Sequence, residues 1–118
     1  MLSLPSSVRI YLSTQPTDMR KGFYSLSALV KASDFDVYSG HLFVFLNRNR
    51  DKLKILTWHQ GGFIVLYKSL EKGRFKPPPY ENLQSTVDLD SAQLAMLLDG
   101  IDLSQFSKPK LWNPPRSS

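Results

Sequence analysis

The stretch that decides the fold runs from His41 to Tyr67. It opens with His41-Leu42-Phe43-Val44-Phe45-Leu46 and crosses the polar connection Asn47-Arg48-Asn49-Arg50-Asp51-Lys52. It returns as Leu53-Lys54-Ile55-Leu56-Thr57-Trp58, turns at Gly61-Gly62, and leaves as Phe63-Ile64-Val65-Leu66-Tyr67. Three runs rich in β-branched and aromatic residues, separated by turn chemistry, predict an antiparallel meander. In the first run Leu42, Val44 and Leu46 share one face while Phe43 and Phe45 take the other. A strand apolar on both faces is central and covered on both sides. In the second run Leu53, Ile55 and Thr57 oppose Lys52, Lys54, Leu56 and Trp58, so one side begins cationic and becomes apolar.

The same region holds the charge. Residues 41–76 carry eight Lys and Arg against Asp51 and Glu71, a local balance of +6, whereas the whole chain of 118 residues sums to +5. Everything outside that stretch therefore sums to −1. A pI near 9.6 invites a polyanion partner, and segregation onto one meander strengthens that reading. Basic residues at strand ends and hairpin tips also serve solubility and guard sheet edges, which is the plain alternative.

Outward from the meander, Val8-Arg9-Ile10-Tyr11-Leu12 alternates between Pro5 and Pro16 and predicts a strand. Thr17 or Asp18 then offers an N-cap for a helix through about Lys31. Met19, Phe23, Leu26 and Val30 fall at spacings of four, three and four, on one face of that helix. Arg20 and Lys21 would sit in its first turn, where they either pair with Asp18 and solvent or join the first amides in contacting a phosphate. After Gly73-Arg74-Phe75-Lys76, Pro77-Pro78-Pro79 stiffens an extended connector. Ser85 to Leu89 predicts a short edge strand. Asp90 and Gln93 form a capping box for a helix from Ser91 to Asp99, with Gly100 as its C′ residue and Leu94, Leu97 and Leu98 as its buried stripe. From Leu103 to Ser118, with Phe106, Leu111 and Trp112 among prolines, no period remains, and an extended or disordered arm is expected.

One domain with a single core suits this length. A hydrophobic content of 42% and a charged content of 21% point away from disorder and from a membrane class. The absence of cysteine excludes disulfides and thiolate metal sites. No secretory signal and no apolar run of spanning length is present, so a cytoplasmic bacterial-type protein is expected.

Catalysis needs convergent groups. The sequence has no His-x-x-x-His, no glycine-flanked nucleophilic serine, no phosphate-cradling glycine loop and no Cys. A metal-dependent nuclease needs clustered carboxylates, whereas Asp18, Asp34, Asp36, Asp51 and Glu71 are scattered and read as solvated turn residues. His41 reads as a surface histidine beside a turn. Trp58, Phe63 and Tyr67 are either stacking platforms for bases or core aromatics.

Several ordered segments carry a family resemblance: Thr17-Asp18-Met19-Arg20-Lys21-Gly22-Phe23, Gly40-His41-Leu42-Phe43-Val44-Phe45, Asn47-Arg48, Leu53-Lys54-Ile55-Leu56 and Trp58. Gly62-Phe63, Tyr67-Lys68, Leu70-Glu71-Lys72-Gly73-Arg74-Phe75, Leu94 and Leu97-Leu98-Asp99-Gly100 extend it. In this order, from about Val8 to Ile101, the chain resembles the small TnpB-type accessory protein of the sixty-six-type bacterial insertion sequences. That family is distinct from the RNA-guided nucleases of the same label. The resemblance implies a part in transposition separate from the transposase that performs strand chemistry, and it implies DNA as the partner. The sequence departs from the family pattern at Tyr24-Ser25, at Leu46 (a basic residue is expected there) and at His59-Gln60.

The resulting expectation is an α+β fold, with a mostly antiparallel sheet packed by one longer helix and a short C-terminal helix. Residues 1–102 form the domain and 103–118 the arm. The expected function is a non-catalytic, cofactor-free accessory factor of transposition that binds DNA through a basic hairpin. Arg48, Arg50, Lys52 and Lys54 would contact the backbone, Lys72, Arg74 and Lys76 would extend the patch, and Arg20 and Lys21 would flank it. The rival readings are a protein adaptor for the transposase with no direct DNA contact and, behind it, a metal-dependent nuclease. No membrane partner is implied, and the oligomeric state stays open.

Overall fold

A computed structural model of the chain describes residues 4–81 and 83–105. Strand β1 (Ile10–Ser13) leads through helix α1 (Phe23–Ala32) to β2 (Leu42–Leu46). Then come β3 (Lys52–His59), β4 (Gly62–Ser69), β5 (Thr86–Leu89) and helix α2 (Ser91–Leu98). The five strands form one sheet in the order β4-β3-β2-β1-β5. The expected meander is its β2-β3-β4 half. Phe43 pairs with Leu56 and Leu46 with Leu53 across β2 and β3, and Lys52 pairs with Ser69 and His59 with Gly62 across β3 and β4. Pairing is antiparallel except between β1 and β2, where Ile10 lies beside Leu42 in a parallel ladder. The fold is α+β, with a mostly antiparallel sheet.

The alternation in the meander sorts the core into two layers. Leu42, Val44, Leu46, Leu53 and Ile55 face one side with Ile10, Leu12, Phe75, Leu89, Leu94, Leu97 and Leu103. Phe43, Phe45 and Leu56 face the other with Leu26 and Val30 of α1 and Val37. Every residue of β2 is buried, as two apolar faces require. Leu46 is among them, which accounts for an apolar side chain where a basic one was expected: its side chain points into the α2-side core and away from the surface patch.

Helix α1 corrects the sequence expectation at its start. It begins at Phe23 behind Gly22, not at Thr17 or Asp18, and Gly22 supplies no side-chain cap. Both polar residues are used before the helix. The buried Thr17 gives its N–H to the Leu46 carbonyl at 2.9 Å. The Asp18 carboxylate accepts the Arg20 N–H at 2.9 Å, and the Asp18 carbonyl accepts the Lys21 N–H. A local turn thus takes the hydrogen bonds that capping would have used. Arg20 and Lys21 consequently precede the helix and do not occupy its first turn.

The second helix follows the sequence closely. The Asp90 carboxylate accepts the Gln93 N–H at 2.7 Å while the Gln93 side chain accepts the Asp90 N–H at 2.9 Å. Gly100 takes φ +84° just past the C-cap, a conformation that favours glycine. β5 is an edge strand, as expected. Leu103 is buried in the α2-side core, and its N–H reaches the Lys76 carbonyl at 2.9 Å. The rest of the expected arm from Phe106, including Leu111 and Trp112, lies outside the described residues.

Candidate nucleic-acid interface

The connection between β2 and β3 is held by one side chain. The Asn47 Oδ1 accepts the N–H groups of Asp51 and Lys52, each at 3.0 Å, and its Nδ2 donates to Asp51 Oδ1 at 2.7 Å. Arg50 takes the left-handed conformation at φ 57°, which tightens the turn. Arg48 and Asn49 are left at the exposed tip. A second basic turn, after β4, docks on the first through its backbone. The Leu70 N–H bonds the Asp51 carbonyl at 2.8 Å and the Phe75 N–H bonds the Arg50 carbonyl at 2.7 Å, with Phe75 buried as the plug. Between those anchors, Glu71, Lys72, Gly73 and Arg74 are exposed.

A third segment, the loop before α1, joins the same end of the sheet. The Lys54 ammonium donates to the carbonyls of Met19 at 2.9 Å and Lys21 at 2.8 Å. An open groove of about 440 Å³ separates that loop from the first turn, between Thr17, Asp18 and Met19 on one wall and Asn47, Arg48 and Asn49 on the other. A second groove of about 480 Å³ lies among Lys72, Arg74, Lys76 and Asp102. Three basic segments distant in sequence thus meet at one end of the sheet.

The nine cations singled out from sequence divide there into two groups. Arg50 donates to the Tyr80 hydroxyl at 2.8 Å and lies 5.8 Å from the centre of that ring. Lys54 is turned toward α1, where two of its three N–H bonds are used on neutral carbonyls, so its charge persists while only one N–H is left free. Arg20 pairs with Asp18 at 2.6 Å, Lys52 with Asp51 at 3.6 Å and Lys76 with Asp102 at 3.8 Å. Arg48, Lys72, Arg74 and Lys21 have no ion-pair partner among the described residues. The first three are exposed, and they are the cations most available to an anion.

Three aspartates at this end, Asp18, Asp51 and Asp102, are held below their ordinary range. Asp18 is lowered most, first by the Arg20 side-chain hydrogen bond and then by the Arg20 backbone N–H. Asp51 is lowered chiefly by the Asn47 amide and then by the Lys52 charge. Asp102 is lowered by the Ser104 hydroxyl and N–H, then by Lys76. Each stays ionised at neutral pH and offsets part of the local positive field.

Two contributors were missed from sequence. Tyr80, the ring that holds Arg50, follows Pro77-Pro78-Pro79, and an aromatic after a rigid run was the available signal. Lys68 donates to the Leu98 carbonyl at 2.6 Å, a cation at the C-terminus of α2 where the helix dipole favours one. The aromatics divide as well. Trp58 and Phe63 are half-buried beside α1, whereas Tyr67 stands more than half exposed near the basic end. His41 accepts the Arg9 N–H on its Nδ1 at 3.0 Å and so has a structural role. Asp36 caps the Tyr38 N–H at 2.9 Å, while Asp34 occupies a left-handed turn position. Among the described residues no three His, Asp or Glu side chains converge as metal ligands.

The geometry defines a small α+β fold in which three basic segments meet at one end of the sheet. The chain belongs to the IS66 Orf2-like family, whose pattern it matches over residues 8–108, and this places it among the accessory proteins of insertion-sequence transposition. It is similar to two uncharacterized proteins of Sinorhizobium fredii. One, y4jC, is 30% identical over 117 residues, and the other, y4hO, is 36% identical over 118 residues, with 98% of each chain covered in both cases. No solved structure matches it. Among the described residues, no helix is long and apolar enough to cross a membrane.

Proposed function

We propose that this protein is a non-catalytic DNA-binding accessory factor of transposition, and that the basic end of the sheet is its DNA contact. One observation carries the reading: backbone hydrogen bonds bring three separate basic segments together while leaving Arg48, Lys72 and Arg74 exposed and unpaired among the described residues. Phosphate contacts of this kind are largely independent of sequence and position a protein on the duplex. Arg50, Lys52 and Lys54, all half-buried, charge the surface from behind, while the exposed Lys76 and Arg20 are partly neutralised by Asp102 and Asp18.

The test is a titration of duplex DNA at several salt concentrations. Each phosphate contact contributes about 0.9 to the log–log slope. The Arg48→Ala/Lys72→Ala/Arg74→Ala variant is expected to flatten that slope by up to about 2.7, three contacts at about 0.9 each, while folding normally. An unchanged slope in the folded variant would favour the adaptor that holds the transposase without touching DNA. Supercoiled plasmid incubated with Mg²⁺ or Mn²⁺ should stay intact, and nicking abolished by Asp34→Ala or Asp36→Ala would refute the non-catalytic part.

A further inference from the structure

We propose that the aromatic face beside α1 takes unstacked bases, so that the DNA recognised by the basic end is a short single-stranded segment. This rests on the DNA-binding reading above and names the form of DNA that the surface fits.

Four rings form one assembly around Phe63. Phe23 stacks on it at 5.7 Å with the planes 29° apart, Trp58 meets it edge-on at 5.0 Å, and Tyr38 lies 5.8 Å away. Tyr38 also meets Trp58 edge-on at 5.1 Å. These rings are not sealed into the core: Phe23 is 53% exposed and Tyr38 54%. A fifth ring, Tyr67, is 52% exposed on the same face of β4, since Tyr67 pairs with Lys54 and Phe63 with Trp58 in one register. At about 3.4 Å per residue, Tyr67 and Phe63 stand roughly 14 Å apart along the strand.

That spacing is several times the roughly 3.4 Å step of a stacked strand. The two ring sites would therefore receive different bases of one short segment. The charge runs in the right direction to guide it. The Lys54 ammonium is 5.0 Å from the centre of the Tyr67 ring, and its bonds go only to neutral carbonyls, so a fixed positive charge stands beside an exposed ring. From Tyr67 the surface passes directly to Lys52 and the basic turns. Backbone-tracking cations leading onto exposed rings are the recurring design for binding single strands without sequence readout. Duplex DNA hides its base faces and can use only the cations.

The experiment compares a labelled oligo-dT, an abasic strand of equal length and a matched duplex, each bound by the full chain. Oligo-dT is expected to bind more tightly than the abasic strand, since both carry the same phosphates and only one has bases. Phe23→Ala and Tyr67→Ala are each expected to weaken oligo-dT binding roughly five- to 150-fold, the range for loss of one stacking platform, and to leave duplex binding unchanged. Both side chains are more than half exposed, and Tyr67→Phe, which keeps the ring, should bind like the parent. Equal affinity for oligo-dT and the abasic strand, or equal losses on single strand and duplex, would overturn the proposal. Oligo-dT binding that ignores Phe23 and Tyr67 but falls in the Arg48/Lys72/Arg74 variant would sink the ring assignment and leave the basic end standing. Binding of neither single strand nor duplex would remove both.

Discussion

Replacing Lys54 by methionine tests the most consequential structural assignment at the basic end. Sequence alone placed this lysine on DNA, whereas its ammonium holds the Met19 and Lys21 carbonyls and thereby pins the loop before α1. Methionine keeps the apolar stem and removes only the donor. A hydrogen bond involving a charged group contributes about 1.5–3 kcal/mol. Two such bonds would reach about twice that, but Lys54 is half-buried and both carbonyls regain water once the donor is gone. A net loss of about 2 kcal/mol is the expected outcome. For a domain of this size about 1 kcal/mol corresponds to roughly 4 °C, so Tm should fall by about 8 °C. Arg48→Met at the exposed tip is the control and should stay within about 1 °C of the parent. Hydrogen exchange should locate the damage, with faster exchange at the amides of Thr17 to Leu26 and little change in β1 or β5. A Lys54→Met protein that melts within about 1 °C of the parent would show that the two bonds are no better than those to water, and that other contacts hold the loop.

Three further outcomes follow from the same geometry. Gly22→Ser should raise stability by about 0.5–1 kcal/mol, visible as a Tm increase of a few degrees. The position is extended with open space at its Cβ, and α1 has no side-chain cap there; a lower Tm would contradict this. Asn47→Ala removes three side-chain hydrogen bonds from the β2–β3 turn, so it should cost about 2 kcal/mol in thermal or denaturant unfolding and weaken DNA binding by releasing Arg48. An unaltered midpoint would show that the backbone alone specifies the turn. Acid should destabilise the protein in a defined direction. The folded-state pKa values of Asp18, Asp51 and Asp102 are depressed, so their contribution is present above the ordinary carboxylate pKa near 4 and is lost as pH falls below it. Tm measured from pH 7 to pH 2 should hold steady to about pH 5 and then decline, and the decline should be shallower in the triple Asp→Asn variant.

How much of this was legible in the sequence depends on how local the deciding interactions are. The β2-β3-β4 meander was legible because its strands follow one another through short turns and the two-sided alternation of Leu42 to Leu46 marks a buried strand. Helix α2 was legible because the capping box and Gly100 are defined within single turns. The start of α1 was misplaced because Thr17 answers to Leu46, twenty-nine positions away, a bond that no local pattern announces. The parallel pairing of β1 with β2 is equally non-local. At the candidate interface the basic segments were visible in sequence as a charge cluster, but the partner of each cation was not. Lys54 and Arg48 look alike on a strand diagram. Only the fold shows that one is used on backbone carbonyls while the other stands free of any ion pair among the described residues.

The gathering of like charge itself argues for an anion as the partner. Cations brought together at one end of a small domain repel, and nothing in the apolar core requires them there. The docking of the two turns through the Leu70 and Phe75 amides holds Lys72 and Arg74 near Arg48 against that repulsion. Asp18, Asp51 and Asp102 relieve it only in part, since Arg48, Lys72 and Arg74 have no carboxylate within ion-pair distance among the described residues. A bound polyanion would relieve the rest. Occupancy at a hundred times the dissociation constant should therefore stabilise the fold by about 2.7 kcal/mol. A generic polyanion such as heparin would produce much of the same shift, so thermal stabilisation alone reports the field and not the ligand. The exposed rings would make the difference under the single-strand proposal, because Tyr67 lies beside the Lys54 charge and would respond to bases. A polyanion without bases should raise Tm equally in the parent and in Tyr67→Ala, whereas oligo-dT should stabilise the parent more.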